Sequence, residues 1–233
     1  MIPRRAIFYW SGPPMGWLRQ QSIESFKRMN PGWEISFIQP EEFGGADLID
    51  VVHNSDFCRY FNLSIFGGLY FDTDIIFCRP IPDEWLEHDL VLPLGEDGSL
   101  GHIACLGSVP VHPFFSTCSR RAAELLARGG PLNYQALGVD LMREVMKSIS
   151  LGKSDVKWIS HDAFTLVPYF DVRRAWADSI SPFPETSVGI HWYGGDHLSA
   201  SIAPTVNEDW MRESKSLVAQ AWRRSFVFEP EAA

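Results

Sequence analysis

The stretch Phe66-Gly67-Gly68-Leu69-Tyr70-Phe71-Asp72-Thr73-Asp74-Ile75-Ile76-Phe77 sets two carboxylates one residue apart in an otherwise apolar, aromatic run of strand-like character. Ionised groups among Tyr, Phe and Ile lose hydration and repel each other, so a compensating cation is the simplest reason to keep them there. A divalent metal carrying a phosphate-rich ligand meets that need through hard oxygen donors. Asp-X-Asp alone has a second reading, a solvated acidic turn at a strand end. The flanking residues are what weigh against it.

Working outward, Ala6-Ile7-Phe8-Tyr9-Trp10 is a short apolar run closed by Ser11-Gly12-Pro13-Pro14, the pattern of a buried strand ending in a loop. Leu18, Ser22, Phe26 and Met29 then share one helical face, Asn30-Pro31-Gly32 ends that helix, and Trp33, Ile35 and Phe37 alternate as a strand. A strand-helix-strand unit favours a parallel sheet with right-handed crossovers, whose ligands collect at the carboxyl ends of the strands. Trp10 and the acidic pair are both expected there. Ser55 or Asp56 is predicted to cap a helix running to Phe66, with Phe57, Tyr60, Phe61 and Ser64 toward the core and Gly67-Gly68 ending it before the strand Leu69 to Phe71. Helices are predicted over Pro113 to Ala127 and Val139 to Ile149, short strands over Val156 to Ile159 and Ser187 to Trp192. A closing helix over Asp209 to Trp222 would turn Trp210, Leu217, Val218 and Trp222 inward, and Glu229 to Ala233 reads as a frayed tail. The expected class is α/β, with a mostly parallel central sheet flanked by helices.

With 233 residues, 45% of them hydrophobic and 21% charged, the chain can bury a substantial core as a single globular domain. No internal repeat, low-complexity segment or long linker divides it. A net charge of −9 argues against general nucleic-acid binding, which needs a positive surface to release counterions. Cys58, Cys78, Cys105 and Cys118 have no CxxC or zinc-like spacing and read as reduced core thiols. Nothing near Met1 is long and apolar enough for a signal-peptide core or a membrane span, so the expected location is the cytoplasm.

Trp10 after a strand, Ser55-Asp56-x-x-Arg59-Tyr60 and Gly67-Gly68-x-Tyr70-x-Asp72-x-Asp74 together resemble the DXD-containing sugar transferases of glycosyltransferase family 32. They are more distantly similar to the catalytic domains of the large glucosylating bacterial toxins. The resemblance covers the first half of the chain well and the second half patchily. It implies a GT-A fold and a metal-dependent glycosyltransferase that moves a sugar from a nucleoside diphosphate sugar, UDP-sugar favoured, to an acceptor hydroxyl with retention. It implies one domain over residues 1–233, with 1–80 the nucleotide and donor half and 81–233 the acceptor half that closes the metal site. Polysaccharide biosynthesis is the expected setting. The acceptor stays open between a surface glycan, a lipid-linked glycan, a protein side chain and a modified DNA base.

The same resemblance implies that Asp74 binds Mn²⁺ or Mg²⁺, with Asp72 bound to the metal directly, through water, or turned toward the ribose or sugar. His191, ending a late apolar strand, would complete the ion's ligands, with His197 as a second candidate. Asp56 and Arg59 would hold donor-sugar hydroxyls. They lie one helical turn apart and could instead be a surface ion pair. Trp10 would stack on the base, or pack in the core. Its neighbour Tyr9 lies on the opposite strand face and reads as core, while Tyr70 would share the face of Asp72 and Asp74. Gly68 and His102 are candidates for approaching donor or acceptor, and Gly194-Gly195, between His191 and His197, could let backbone approach the phosphates. Asp140 is either a helix-start acid or an acceptor-facing carboxylate. The segment Leu137-Gly138-Val139-Asp140 departs from the Thr-Gly-Pro-like turn of the relatives. Two other classes stand beside the transferase: a non-catalytic nucleotide-sugar or glycan-binding module, and a metal-dependent phosphohydrolase.

Overall fold

The computed structural model describes residues 1–39, 50–149, 155–179 and 183–227. In chain order the elements are β1 (Arg5–Tyr9), α1 (Trp17–Met29), β2 (Glu34–Ile38), α2 (Val51–Phe66), β3 (Gly68–Phe71), β4 (Ile75–Phe77), β5 (Leu90–Leu94), β6 (Cys105–Ser108), α3 (Pro113–Arg128), α4 (Val139–Ser148), β7 (Val156–Ser160), α5 (Arg173–Trp176), β8 (Gly189–His191), α6 (His197–Ile202), α7 (Glu208–Glu213) and α8 (Leu217–Val227). They fall into two compact units that interleave along the chain. The first holds residues 1–12, 33–72 and 82–160, the second residues 13–32, 73–81 and 161 onward.

The first unit is built on a six-stranded sheet of order β2-β1-β3-β6-β5-β7. Pairings β2–β1, β1–β3 and β5–β7 are parallel, and β6 runs antiparallel to both of its neighbours. The parallel β1–β2 pair matches the strand-helix-strand reading. Ala6 pairs with Leu69 and Phe8 with Phe71, so Trp10 and Asp72 both follow the carboxyl ends of adjacent parallel strands. Apolar residues of the sheet, α2, α3 and α4, including Tyr60, Leu63, Phe114, Phe115 and Met142, form its core.

Local chemistry moves some boundaries. Helix α2 begins one turn before Ser55, because Asp50 accepts the Val52 N–H at 2.8 Å and is the cap. Its buried face runs through Asn54, Cys58 and Leu63, while Phe57, Phe61 and Ser64 are only partly covered. Gly67 ends the helix with φ 63°, and its missing Cβ admits Pro110 N at 2.7 Å. Strand β2 lies at the end of the sheet, so its alternation does not mark a buried face: Ile38 is buried and Phe37 is 41% exposed. Strands β5 and β6 had no clear sequence signal. Pro93 sits within β5 but past its two-residue pairing with β6, and Gly107 lets Leu69 pack where a Cβ would stand 2.2 Å from its methyl.

The second unit pairs β4 with β8 antiparallel in a two-stranded sheet, with α1, α5 and α8 supplying apolar cover that includes Leu18, Trp176 and Trp222, and with Trp192, just after β8, in the same core. The expected closing helix is two helices. Ser216 Oγ accepts the Ala219 N–H at 3.2 Å, and Ser214 Oγ accepts the Ser216 N–H at 3.1 Å, so hydroxyls end one helix and start the next. All four cysteines are buried and free, as expected. The tail from Glu229 lies outside the described residues.

Candidate active site

In the first unit, Arg59 is the hub. Its place on α2, four residues after Ser55 and three after Asp56, aims one guanidinium at both. Nη1 donates to the Ile103 carbonyl at 2.9 Å and Nη2 to Ser55 Oγ at 3.1 Å. The same Nη2 lies 3.2 Å from Asp56 Oδ1 and 3.4 Å from Asp72 Oδ1. The Tyr70 ring lies under the guanidinium at 4.5 Å. The expected Asp56–Arg59 pair thus forms, and it is buried rather than on the surface.

Burial opposes the Arg59 charge, but Tyr70, Asp72 and Asp56 more than offset this and keep it cationic. Asp56 goes the other way. Burial pushes its carboxyl up to about 6 and Asp72 adds to the rise, against the lowering effects of Arg59 and His53. The Tyr70 phenol, also raised by burial, donates to Asp72 Oδ1 at 3.1 Å and lies 3.1 Å from Ser55 Oγ. Asp72, with a side chain 21% exposed, is the open end of this network.

The network forms one wall of a cavity of about 480 Å³ within the first unit, lined also by Gly95, Asp97, Ser99, Gly101, His102, Tyr134, Gly138 and Arg143. Tyr60 holds its rim by donating to the Leu137 and Gly138 carbonyls at 2.8 and 3.0 Å. Gly138 packs closely here, and a Cβ would stand 3.1 Å from Asp56 Oδ2. Fixed carboxylates and a guanidinium facing such a space offer acceptors and donors to a polyhydroxylated ligand.

In the second unit the decisive group is Asp74. The chain leaves β3 at Phe71, turns through Asp72-Thr73-Asp74 and enters β4, so strand alternation does not extend to Asp74. Pairing of Ile75 with His191 brings the imidazole beside it. His191 Nε2 lies 2.9 Å from Asp74 Oδ1, the Gly194 N–H donates to Oδ2 at 2.6 Å, and the Asp74 carbonyl accepts the Trp192 N–H at 3.0 Å. Burial works against the Asp74 charge, yet His191, Arg19 and the Gly194 amide hold the carboxyl well below its usual range. The Tyr193 ring packs on the imidazole at 4.2 Å between centroids, with φ 50°. An ionised carboxylate and an imidazole side by side are suitable donors for Mn²⁺.

The other sequence candidates scatter. Trp10 is half-buried just past β1, whereas Tyr9 belongs to the core. Gly68 has a packing reason, for at φ 108° its Cβ would meet the Arg5 carbonyl at 2.7 Å. His102 is exposed on the cavity wall. Asp140 is exposed in the first turn of α4, as the helix-start reading has it, and is not among the residues lining that cavity. His197 is exposed at the start of α6, and the Gly194 amide is spent on Asp74. Two residues escaped the sequence reading. Ser55, taken as a helix cap, is a bridge between Arg59 and Tyr70, which its place four residues before Arg59 could have signalled. Arg19 had no signal, because a basic residue early in a helix is ordinary.

Residues 19–92 match the family model of the glycosyltransferase sugar-binding region containing the DXD motif. Among solved structures, the apo form of the glycosyltransferase GlyE of Streptococcus pneumoniae TIGR4 is 13% identical with a TM-score of 0.52, covering 98% of this chain and 61% of its own. The PaToxG glycosyltransferase is 16% identical at a TM-score of 0.48, over 63% of this chain and 68% of its own. The galactosyltransferase LgtC, solved with donor and acceptor sugar analogues, is 14% identical at 0.47, over 97% and 98%. No curated protein matches. The chain has the mixed, mostly parallel sheet of the GT-A fold. Among its described residues no helix is long and apolar enough to cross a membrane.

Proposed function

We propose that this chain is a glycosyltransferase that moves a sugar from a nucleoside diphosphate sugar, with UDP favoured, to an acceptor hydroxyl, with retention and with Mn²⁺ or Mg²⁺ as cofactor. The observation that carries the reading is the acidic turn Asp72-Thr73-Asp74 at the end of β3, with Asp74 kept ionised beside His191. Asp74 and His191 offer an oxygen and a nitrogen 2.9 Å apart, a donor set that fits Mn²⁺, and Asp72 stands two positions earlier in the chain. These three residues would hold the ion. A bound divalent cation would supply positive charge to the diphosphate as the glycosidic bond breaks.

The chain's own residues do the rest. Trp10 stacks the base past β1. Asp56 accepts a hydroxyl of the donor sugar and Arg59 fixes Asp56 and Asp72 in place, so that the anomeric carbon is presented to the acceptor in one orientation. Asp72 keeps one edge toward the cavity, where it can meet the ribose or the sugar. Among the described residues no side chain stands out as a covalent nucleophile, which supports a same-face substitution in which the leaving phosphate takes the acceptor's proton. The acceptor is a hydroxyl of a surface or lipid-linked glycan, a protein or a modified DNA base, and polysaccharide biosynthesis is the setting favoured.

The test is calorimetric titration with a panel of nucleoside diphosphate sugars, each with Mn²⁺ and with chelator, followed by assay of nucleoside diphosphate release. One donor should bind only with metal and be turned over slowly to water. Metal-independent binding without turnover would make the chain a binding module. Phosphate ester cleavage without a sugar donor would make it a hydrolase.

A further inference from the structure

Arg19 is the third residue of α1, and nothing in the DXD pattern assigns it a role. Its Nη1 donates at 2.8 Å to Oγ1 of Thr73, the buried residue between the two acids of the motif. Its guanidinium lies over the Trp192 indole, 5.1 Å from the ring centroid. A Cβ on Gly194 would stand 2.4 Å from Nη2, so the glycine is what makes room for the arginine. Three segments of the second unit therefore build one slot: the start of α1, the acidic turn and the loop after β8. The side chain is half-buried, which leaves part of it open to a ligand.

We infer that Arg19 is a further donor-binding residue, contacting the diphosphate of the nucleotide sugar at the acidic turn; this rests on the donor reading above. The chemistry fits the slot. Oxygens of a diphosphate accept parallel N–H bonds from a guanidinium, and an arginine fixed by an indole face and a threonine is already oriented for them. Negative charge grows on the diphosphate as the sugar departs, and a cation held in place beforehand stabilises it without reorganising. Bracing the turn through Thr73 is the role that competes with this one, and it makes a different prediction.

The experiment compares Arg19→Ala, Arg19→Lys and Thr73→Val by calorimetry with Mn²⁺, using the nucleoside diphosphate of the donor that the panel selects, its monophosphate and its nucleoside. Melting curves accompany each variant. Arg19→Ala should weaken diphosphate binding about 10- to 100-fold, a loss expected for hydrogen bonds to a charged group, while nucleoside affinity stays within about twofold. Arg19→Lys should fall between, and Thr73→Val should keep diphosphate affinity within about threefold. Equal losses in Arg19→Ala and Thr73→Val would show that Arg19 only braces the turn. Unchanged diphosphate affinity in Arg19→Ala would overturn the inference and leave the donor reading standing. A wild-type chain that binds no nucleoside diphosphate would remove both. Should Arg19→Ala fail to fold, Arg19→Lys carries the test, and diphosphate binding equal to wild type in that variant counts against the inference.

Discussion

Asp56 in the first unit and Asp74 in the second are both buried carboxylates beside a basic side chain, yet their environments push them in opposite directions. Asp56 has Arg59 at 3.2 Å, but that guanidinium is shared with Asp72, Ser55 and the Ile103 carbonyl. Asp74 has a donor on each oxygen, His191 on one and the Gly194 amide on the other, with Arg19 adding to the field. The contrast teaches that burial does not set protonation by itself. What decides is how many donors are committed to one carboxylate and how many acids share a cation.

The largest effect should come from Asp74→Asn. Loss of the charged ligand is expected to reduce metal-dependent turnover by about 1,000-fold or more, near 4 kcal/mol of transition-state stabilisation. The variant should also melt below wild type at pH 7.5. A depressed carboxyl contributes stability that is present above the ordinary aspartate range and lost as pH falls toward the folded value. Mn²⁺ titration and thermal unfolding check both halves, and retained metal-dependent turnover would take Asp74 out of the site.

Next in size is Arg59→Met, which leaves Asp56 and Asp72 without their shared cation. Removing one partner from a buried pair costs about 3–5 kcal/mol, measurable by urea unfolding. A change under about 1 kcal/mol would mean that water reaches both acids.

Asp56→Asn should act with the opposite sign to Asp74→Asn. An aspartate raised from 3.8 to about 6 binds its proton more tightly when folded, so its contribution to stability is full below pH 3.8 and is lost as pH rises through about 6. The neutral amide should therefore raise the melting temperature at pH 7.5, by no more than about 3 kcal/mol of stability, and the gain should fade toward pH 4. Donor-sugar affinity in the wild type should fall as pH drops below about 6, and this limb should be absent from Asp56→Asn. A melting temperature that drops at pH 7.5 would show that Arg59 governs Asp56 more than burial does.

The smallest effect is expected for Trp10→Ala, about 1–2 kcal/mol in nucleotide affinity from lost base stacking, with little change in stability. Severe destabilisation with unchanged nucleotide binding would place Trp10 in the core instead.

Much of this was legible in the residues. The apolar run before Trp10, the helix ended at Gly67 and the parallel β1–β2 pair follow from periodicity and turn chemistry, which are local. The Ser55-Asp56-x-x-Arg59 spacing announced that these side chains share a helix face. Strands β5 and β6 were hidden by Pro93 and Gly107, whose fit depends on register with neighbours far along the chain. The closing helix was divided by Ser214 and Ser216, because capping by short hydroxyls competes with helical periodicity over the same few residues.

The sequence by itself determined the identity of the acids, their spacing by one residue and their place after an apolar strand, since these depend on chain-local alternation and composition. Only the tertiary structure decided that Ile75 pairs with His191, that Gly194 gives its amide to Asp74 and that Arg19 reaches Thr73. Each joins residues more than fifty positions apart, where no periodicity carries information and only packing and hydrogen-bond satisfaction select the partner.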